Sequence, residues 1–138
     1  QALTSRIHFN TYGGNPVAST QGRAVLEVID ADGIQANAAR VGARLKTGLE
    51  SLADRHDLIG DVRGLGLMLG VELVTDRTTK EPAREEAARI LETCRELGLL
   101  LGKGGLYGNV LRIKPPMCLG EADADFLLAV LDEALGRV

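Results

Sequence analysis

The sequence is poor in aromatic residues, and it lacks the features that nucleic-acid or membrane proteins need. Aromatic residues make up 3% of the 138 residues and tryptophan is absent, so surfaces that stack on bases are not expected. The net charge is -3, and without a basic cluster this argues against nucleic acid as a partner. No apolar run reaches the roughly 20 residues of a membrane-spanning helix, so no membrane partner is predicted.

Cysteine and histidine are scarce as well. Cys94 and Cys118 are far apart in the sequence, as are His8 and His56, and neither pair has the spacing of a metal site. We therefore predict no metal, and we find no serine, histidine and acid grouping typical of a hydrolase. Two unpaired cysteines favour a reducing compartment, for which we expect the cytoplasm. The sequence opens at Gln1 without a methionine, and we expect a fragment.

The sequence does contain a clear change in the spacing of its apolar residues. Helical spacing comes first and gives way to alternation after residue 57, which is typical of strands. The predicted helices span 16–29, 34–55, 82–97 and 120 onward, and the predicted strands span 58–63, 67–74, 99–101 and 109–114. Phe126, Leu127, Val130, Leu131 and Ala134 form the apolar stripe of the last helix. The pattern predicts an α+β fold, in which a small, mostly antiparallel sheet is covered by helices on one face and preceded by two helices.

A turn rich in small and polar residues precedes the first helix. Asn15 suits the N-cap, and Pro16 suits the first helical position. Gly13 and Gly14 permit a sharp turn, and Thr11 adds a hydroxyl donor. The free N–H groups of a helix N-terminus attract anions. Two interpretations stay open, an anion-binding turn and a plain capped helix.

An arginine in the last predicted strand is the second informative position. Because side chains alternate along a strand, Leu111 and Ile113 share one face and Arg112 projects from the other. The following Pro115-Pro116 ends the strand, since proline cannot donate to a sheet. A rigidly held guanidinium suits a carboxylate or a phosphate. The alternative is an exposed arginine paired with a surface acid.

Three other features favour structural roles. The stretch 102–105, rich in glycine, lacks the spacing of a phosphate-binding loop and is read as a flexible connection. Arg63 is expected in a salt bridge near the predicted hairpin. Glu72 is expected to be a paired strand residue, although a buried acid with a shifted pKa is the alternative.

Three stretches together resemble the C-terminal portion of class III pyridoxal-phosphate aminotransferases. They are HFNTYGGNP at 8–16, GDVRGLGLM at 60–68 and LRIKPP at 111–116. Within that class, HFNTYGGNPVA and the run GLLLGKGGLYGNVLRIKPPMC at 98–118 are most similar to the alanine–glyoxylate aminotransferase subgroup. The resemblance covers nearly the whole chain.

The resemblance implies a fold type I homodimer that uses pyridoxal phosphate. Residues 1–57 would be the end of the large cofactor domain with its connecting helices, and 58–138 the C-terminal small domain. Thr11, through its hydroxyl and N–H, and Tyr12 would bind the cofactor, with the phosphate held in the neighbouring subunit. Arg112 would bind the substrate carboxylate. The implied reaction moves an amino group between an amino acid, such as alanine, and a 2-oxo acid, such as glyoxylate.

The resemblance also implies what this chain lacks. Family members carry the Schiff-base lysine upstream, and none of the four lysines here lies in a matching motif. We therefore expect no catalytic residue in this chain, no activity from it alone, and no stable binding of the cofactor. Exposed apolar surface would favour self-association. The alternatives are a non-catalytic α+β binding module and part of a related pyridoxal-phosphate phospho-lyase.

Overall fold

The computed structural model describes residues 10–138, which fall into two compact units. One unit ends at Ile34 and the other comprises Gln35–Val138. His8 and Phe9, which open the first motif, lie outside the described residues. The helices are α1 (Pro16–Ala31), α2 (Ile34–Ala53), α3 (Arg84–Glu96) and α4 (Glu121–Gly136), and the strands are β1 (Ile59–Leu65), β2 (Met68–Asp76), β3 (Glu81–Pro82), β4 (Gly102–Gly104) and β5 (Val110–Ile113). None of these helices has the length and apolar character to cross a membrane.

Helix α1 begins as the sequence predicts. The Asn15 side chain accepts a hydrogen bond of 2.9 Å from the N–H of Ala18, and Pro16 occupies the first turn. No residue of α1 is buried, and Val17 and Val25 are among its exposed side chains. An isolated helix of this length is only marginally stable in water, and the Asn15 cap and Pro16 favour its formation.

The sheet is antiparallel throughout, in the order β1-β2-β5-β4, with β3 added to β2. Strand β5 pairs with β2 so that Leu111 lies opposite Val71 and Ile113 opposite Leu69. All four side chains are buried. The predicted α+β class with a small antiparallel sheet is confirmed.

The hydrophobic core lies between one face of this sheet and helices α2, α3 and α4. From the sheet it contains Ile59, Leu69, Val71, Leu73, Leu111 and Ile113, and from the helices it contains Val41, Leu45, Leu49, Leu52, Ala87, Ile90, Cys94, Ala124, Leu127, Val130, Leu131, Ala134 and Leu135. The opposite face of β1 and β2 carries Asp61, Arg63 and Glu72, which are exposed or half-buried. Burial of one face and partial exposure of the other explain the alternation in the sequence from Leu69 to Leu73.

The predicted position of the strand that pairs with β5 at the sheet edge is wrong. The predicted strand at 99–101 is irregular, with Leu100 exposed, and the pairing strand is instead the glycine stretch at 102–104. Gly102 lies opposite Arg112, and Gly104 lies opposite Val110. Sheet pairing needs only backbone N–H and C=O groups, so residues without side chains can form hydrogen bonds with the edge of β5. The stretch read as a flexible connection is therefore largely β4.

The start of the third helix is also later than predicted. Pro82 belongs to the short strand β3, which pairs with the end of β2, and α3 starts at Arg84. The N–H of Ala83 donates to the carbonyl of Leu73. This bond holds the chain extended through Pro82, so the helix begins only after it.

The predicted core stripe of the last helix is wrong at one position. Phe126 is 50% exposed, whereas Ala124 and Leu135 are buried. The stripe that faces the sheet runs through Leu127 and Leu131, and Phe126 lies about 100° around the helix from Leu127. Its ring instead forms part of a cavity wall described below.

The turn between β1 and β2 packs directly under α2. Gly64 and Gly66 have φ values of 135° and 56°, which favour glycine, as expected for structural glycines. Helix α2 approaches this turn at Gly42, where an added Cβ would lie 2.6 Å from the Cα of Gly66 and overlap its carbonyl group. The neighbour is backbone and cannot swing away, so contact between α2 and the turn requires glycine at position 42.

We expect Gly42→Ala to lower the free energy of unfolding by about 3 kcal/mol, at the upper end of overpacking costs. Gly136→Ala is the control, because nothing lies within 4 Å of an added Cβ near the end of α4. The measurement is urea unfolding followed by circular dichroism. Equal stability of the two variants would show that α2 does not contact the turn this closely.

Ion pairs at the surface also join α4 to α2 and to the residues just after α2. The pairs are Arg40 with Glu121, Arg44 with Asp125, and Arg55 with Asp132. His56 Nε2 lies 2.6 Å from the other carboxylate oxygen of Asp132. The hydrogen bond from His56, followed by that from Arg55, lowers the pKa of Asp132.

This lowered pKa makes the contribution of Asp132 dependent on pH. A carboxyl whose pKa is depressed by folding stabilises the fold above its unfolded pKa, and that contribution is lost as the pH falls through the folded pKa. We expect the stability difference between wild type and Asp132→Asn to be largest above the unfolded carboxyl pKa of about 4 and to shrink as the pH falls through the lower folded pKa. Urea unfolding across this range measures it, with Glu133→Gln as the control. A difference independent of pH would contradict the prediction.

Candidate functional site

Arg112 projects from the face of the sheet opposite the core. Its neighbours in β5, Leu111 and Ile113, are buried, whereas Arg112 is exposed. Within residues 10–138, the guanidinium takes part in no hydrogen bond or ion pair. A guanidinium held in a strand and left without an acid partner in the described residues can bind an incoming anion.

The other arginine on this face is already neutralised. Arg63 Nη1 lies 2.7 Å from Oδ2 of Asp61 and 2.6 Å from Oε2 of Glu72. These hydrogen bonds, to Asp61 first, raise the pKa of Arg63. The salt bridge predicted for Arg63 and the pairing predicted for Glu72 are confirmed, and an anion would meet net positive charge at Arg112 rather than here.

A cavity of about 390 Å³ lies beside Arg112, within the size range of small-molecule sites. Its lining includes Leu99, Leu100, Leu101, Gly102, Arg112, Ile113, Lys114, Pro115, Leu119, Asp123, Phe126 and Leu127. Two cations and one carboxylate are present, and Asp123 Oδ2 accepts the N–H of Gly120 at the start of α4. The charges and apolar walls suit a small anion with an apolar portion.

The segment after β5 is held in place by α2. The Asn37 amide donates to the carbonyls of Met117 and Leu119, both at 3.0 Å, and its oxygen accepts from Arg40. Asn37 therefore fixes the chain between Pro115 and α4. The sequence reasoning did not identify Asn37, since its partners are 80 or more residues away.

The turn before α1 is organised by two asparagines. The Asn10 side chain accepts from the N–H groups of Tyr12 and Gly13, both at 3.1 Å, and the Asn15 amide donates to the carbonyl of Tyr12 at 2.7 Å. Thr11 is exposed, and its hydroxyl and N–H make no hydrogen bond to any residue that the structure describes. Tyr12 is 83% exposed.

The described residues include no buried lysine. All four lysines, at positions 46, 80, 103 and 114, are exposed or half-buried. Cys94 belongs to the core, and burial raises the pKa of its thiol to about 11, so it is a poor nucleophile. The described residues contain no cluster of ligands suited to a metal ion.

Comparison with known proteins identifies the family that has this fold. A family model described as aminotransferase class-III matches residues 1–135, and the chain belongs to this family. It is 53% identical over 136 residues to alanine–glyoxylate aminotransferase 2 homolog 2, mitochondrial, of Arabidopsis thaliana. This similarity covers 99% of the chain and 28% of the relative. The chain falls in the alanine–glyoxylate aminotransferase subgroup, and it spans less than a third of that relative's length.

Solved structures give the same fold. An Arthrobacter phospholyase in complex with phosphoethanolamine has a TM-score of 0.89 and 35% identity, covering 97% of this chain and 32% of that chain. An amine transaminase from an uncultivated Pseudomonas species, in its pyridoxal-phosphate-bound form, has a TM-score of 0.82 and 35% identity, covering 95% and 30%. Membership of the family therefore implies pyridoxal phosphate for the intact enzymes.

The expected cytoplasmic location is wrong. The alanine–glyoxylate aminotransferases of Arabidopsis thaliana, Pongo abelii and Homo sapiens that match this chain are named as mitochondrial proteins. Free cysteines distinguish reducing from oxidising surroundings, but they do not distinguish one reducing compartment from another. The inference from Cys94 and Cys118 was therefore too specific.

Proposed function

We propose that this chain is the C-terminal part of a pyridoxal-phosphate aminotransferase that moves an amino group between an amino acid and a 2-oxo acid. Alanine and glyoxylate are the proposed substrates, by analogy with the relative's name. Residues 1–57 would close the large cofactor domain and 58–138 form the small domain of a homodimer. When bound, pyridoxal phosphate supplies an electron sink for the reacting carbon.

The orientation and surroundings of Arg112 are the main support for this proposal. Its guanidinium faces away from the core and has no acid partner in the described part of the chain, and it lines a cavity with apolar walls. A carboxylate common to amino acids and 2-oxo acids would accept two parallel N–H bonds from this fork. Because Leu111 and Ile113 anchor the strand, the bound acid would be oriented as well as held.

The turn before α1 fits a phosphate. Thr11 offers a hydroxyl and an N–H that have no hydrogen-bond acceptor among residues 10–138. No acidic residue lies in the first turn of α1 to repel an anion, and the helix N-terminus adds a favourable dipole. We propose that Thr11 and Tyr12 contact the cofactor phosphate bound in the neighbouring subunit of the dimer.

Replacing Arg112 by glutamine in the full-length enzyme is expected to weaken substrate binding. Loss of charge-assisted hydrogen bonds costs about 2 kcal/mol, which is about 30-fold in kcat/KM. Steady-state kinetics with alanine and glyoxylate measures this, and the effect should appear in both half-reactions because both substrates carry a carboxylate.

Arg89→Gln is the matched control, because Arg89 is an exposed helical arginine paired only with Glu86 among the described residues. Equal kcat/KM for Arg112→Gln and Arg89→Gln would contradict the proposed role. The phospholyase likeness supplies a second candidate, since an arginine fork also accepts phosphate. Release of inorganic phosphate from phosphoethanolamine, without amino transfer to glyoxylate, would favour the lyase and reject the aminotransferase.

We further propose that the 138-residue chain does not transaminate by itself. A lysine that reacts with pyridoxal phosphate at neutral pH needs a desolvated or cationic pocket that lowers its pKa, and none of the four lysines is buried. After incubation with the cofactor and reduction with borohydride, mass spectrometry should find only scattered, substoichiometric labelling. One lysine labelled stoichiometrically, together with amino transfer, would contradict this.

A further inference from the structure

Arg112 lies between two glycines in the sheet. Gly70 of β2 is its partner on one side, and Gly102 of β4 is its partner on the other. Residues directly opposite in antiparallel strands normally pack their side chains together. Arg112 therefore has no side chain directly opposite it on either neighbouring strand.

The two glycines differ in their distance from the guanidinium. A Cβ added at Gly102 would lie 2.9 Å from Nε and 3.2 Å from Nη2 of Arg112. A Cβ added at Gly70 would meet only Cγ1 of Val110, at an ordinary 3.4 Å. The guanidinium therefore lies over Gly102, on the β4 side, and leaves the space over Gly70 open.

Backbone conformation does not explain glycine at these two positions. In the turn that follows β4, Gly105 and Gly108 have φ values of 81° and 70°, which favour glycine. Gly70 and Gly102 are not among the glycines with positive φ. Alanine would fit the backbone at both positions, and only at Gly102 would its methyl group occupy the place of the guanidinium.

We propose that Gly102 is a positioning residue for Arg112, an inference that rests on the proposed carboxylate-binding role of Arg112. The missing side chain at position 102 lets the guanidinium lie flat over β4, beside the cavity that both residues line. A methyl group there would displace the guanidinium toward the open space over Gly70. The arginine would remain charged but would present its N–H groups from the wrong place.

The position of the guanidinium can be tested in this chain by nuclear magnetic resonance. We expect a nuclear Overhauser contact between Hε of Arg112 and Hα of residue 102 in the wild type and in Gly70→Ala, and its loss in Gly102→Ala. Unfolding temperatures should differ by less than about 4 °C, because the displaced group is the flexible end of a side chain. Absence of the contact in the wild type, or its persistence in Gly102→Ala, would overturn the proposal.

Kinetics of the full-length enzyme tests the consequence. Gly102→Ala should raise KM for alanine and glyoxylate about tenfold and change kcat by less than about twofold, as expected when ground-state and transition-state binding weaken equally. Gly70→Ala should leave both constants unchanged. A KM increase in Arg112→Gln without one in Gly102→Ala would overturn the positioning role alone. No increase in either variant would reject the carboxylate-binding function of Arg112 and the inference with it.

Discussion

The register of β5 is the constraint on which the candidate site depends. Leu111 and Ile113 pair with Val71 and Leu69, and all four side chains are buried in the same core. Because side chains alternate along a strand, this burial places Arg112 on the opposite face. A slip of one residue would bury the guanidinium and expose both apolar side chains, so the free energy of the core also fixes the direction of the functional group.

The two arginines on the outer face show how local charge assigns different roles to the same residue type. Arg63 is shared by two carboxylates, and it ties β1 to β2. Arg112 lies opposite two glycines, and Glu72, the acid that β2 carries on this face, is bound to Arg63 instead. Exposed ion pairs add little stability, but this cluster occupies Arg63 and Glu72 with each other and leaves the Arg112 guanidinium without an acid partner among the described residues.

Periodicity was enough to predict β1, β2 and β5 within a mostly antiparallel sheet and the outward direction of Arg112, because these follow from local alternation between buried and exposed residues. The pattern could not predict β4, since glycines carry no hydrophobic signal and Gly102 and Gly104 form a strand only by pairing with β5. A glycine at every second position, followed by a glycine turn and an apolar strand, was the signal available for this hairpin.

Contacts distant in sequence explain the other differences. Pro82 joins β2 through a bond from Ala83 to Leu73, which no local pattern indicates. Phe126 lines a cavity rather than the core because it lies about 100° around α4 from Leu127. For Thr11 and Arg112, the residue types and their local geometry were predictable from the sequence. The resemblance to a family was needed to assign them a phosphate and a carboxylate.

The ion pairs between α2 and α4 help to fix how far the two helices are shifted along each other. Every cation of this ladder lies on or just after α2, every anion lies on α4, and the pairs follow the same order along both segments. A slide of α2 along α4 by one turn would separate each arginine from its present partner and would leave charges at the ends of the series without partners. Pairs that contribute little stability individually therefore act against misaligned alternatives, and they keep Asn37 of α2 opposite the carbonyl groups that follow the arginine strand.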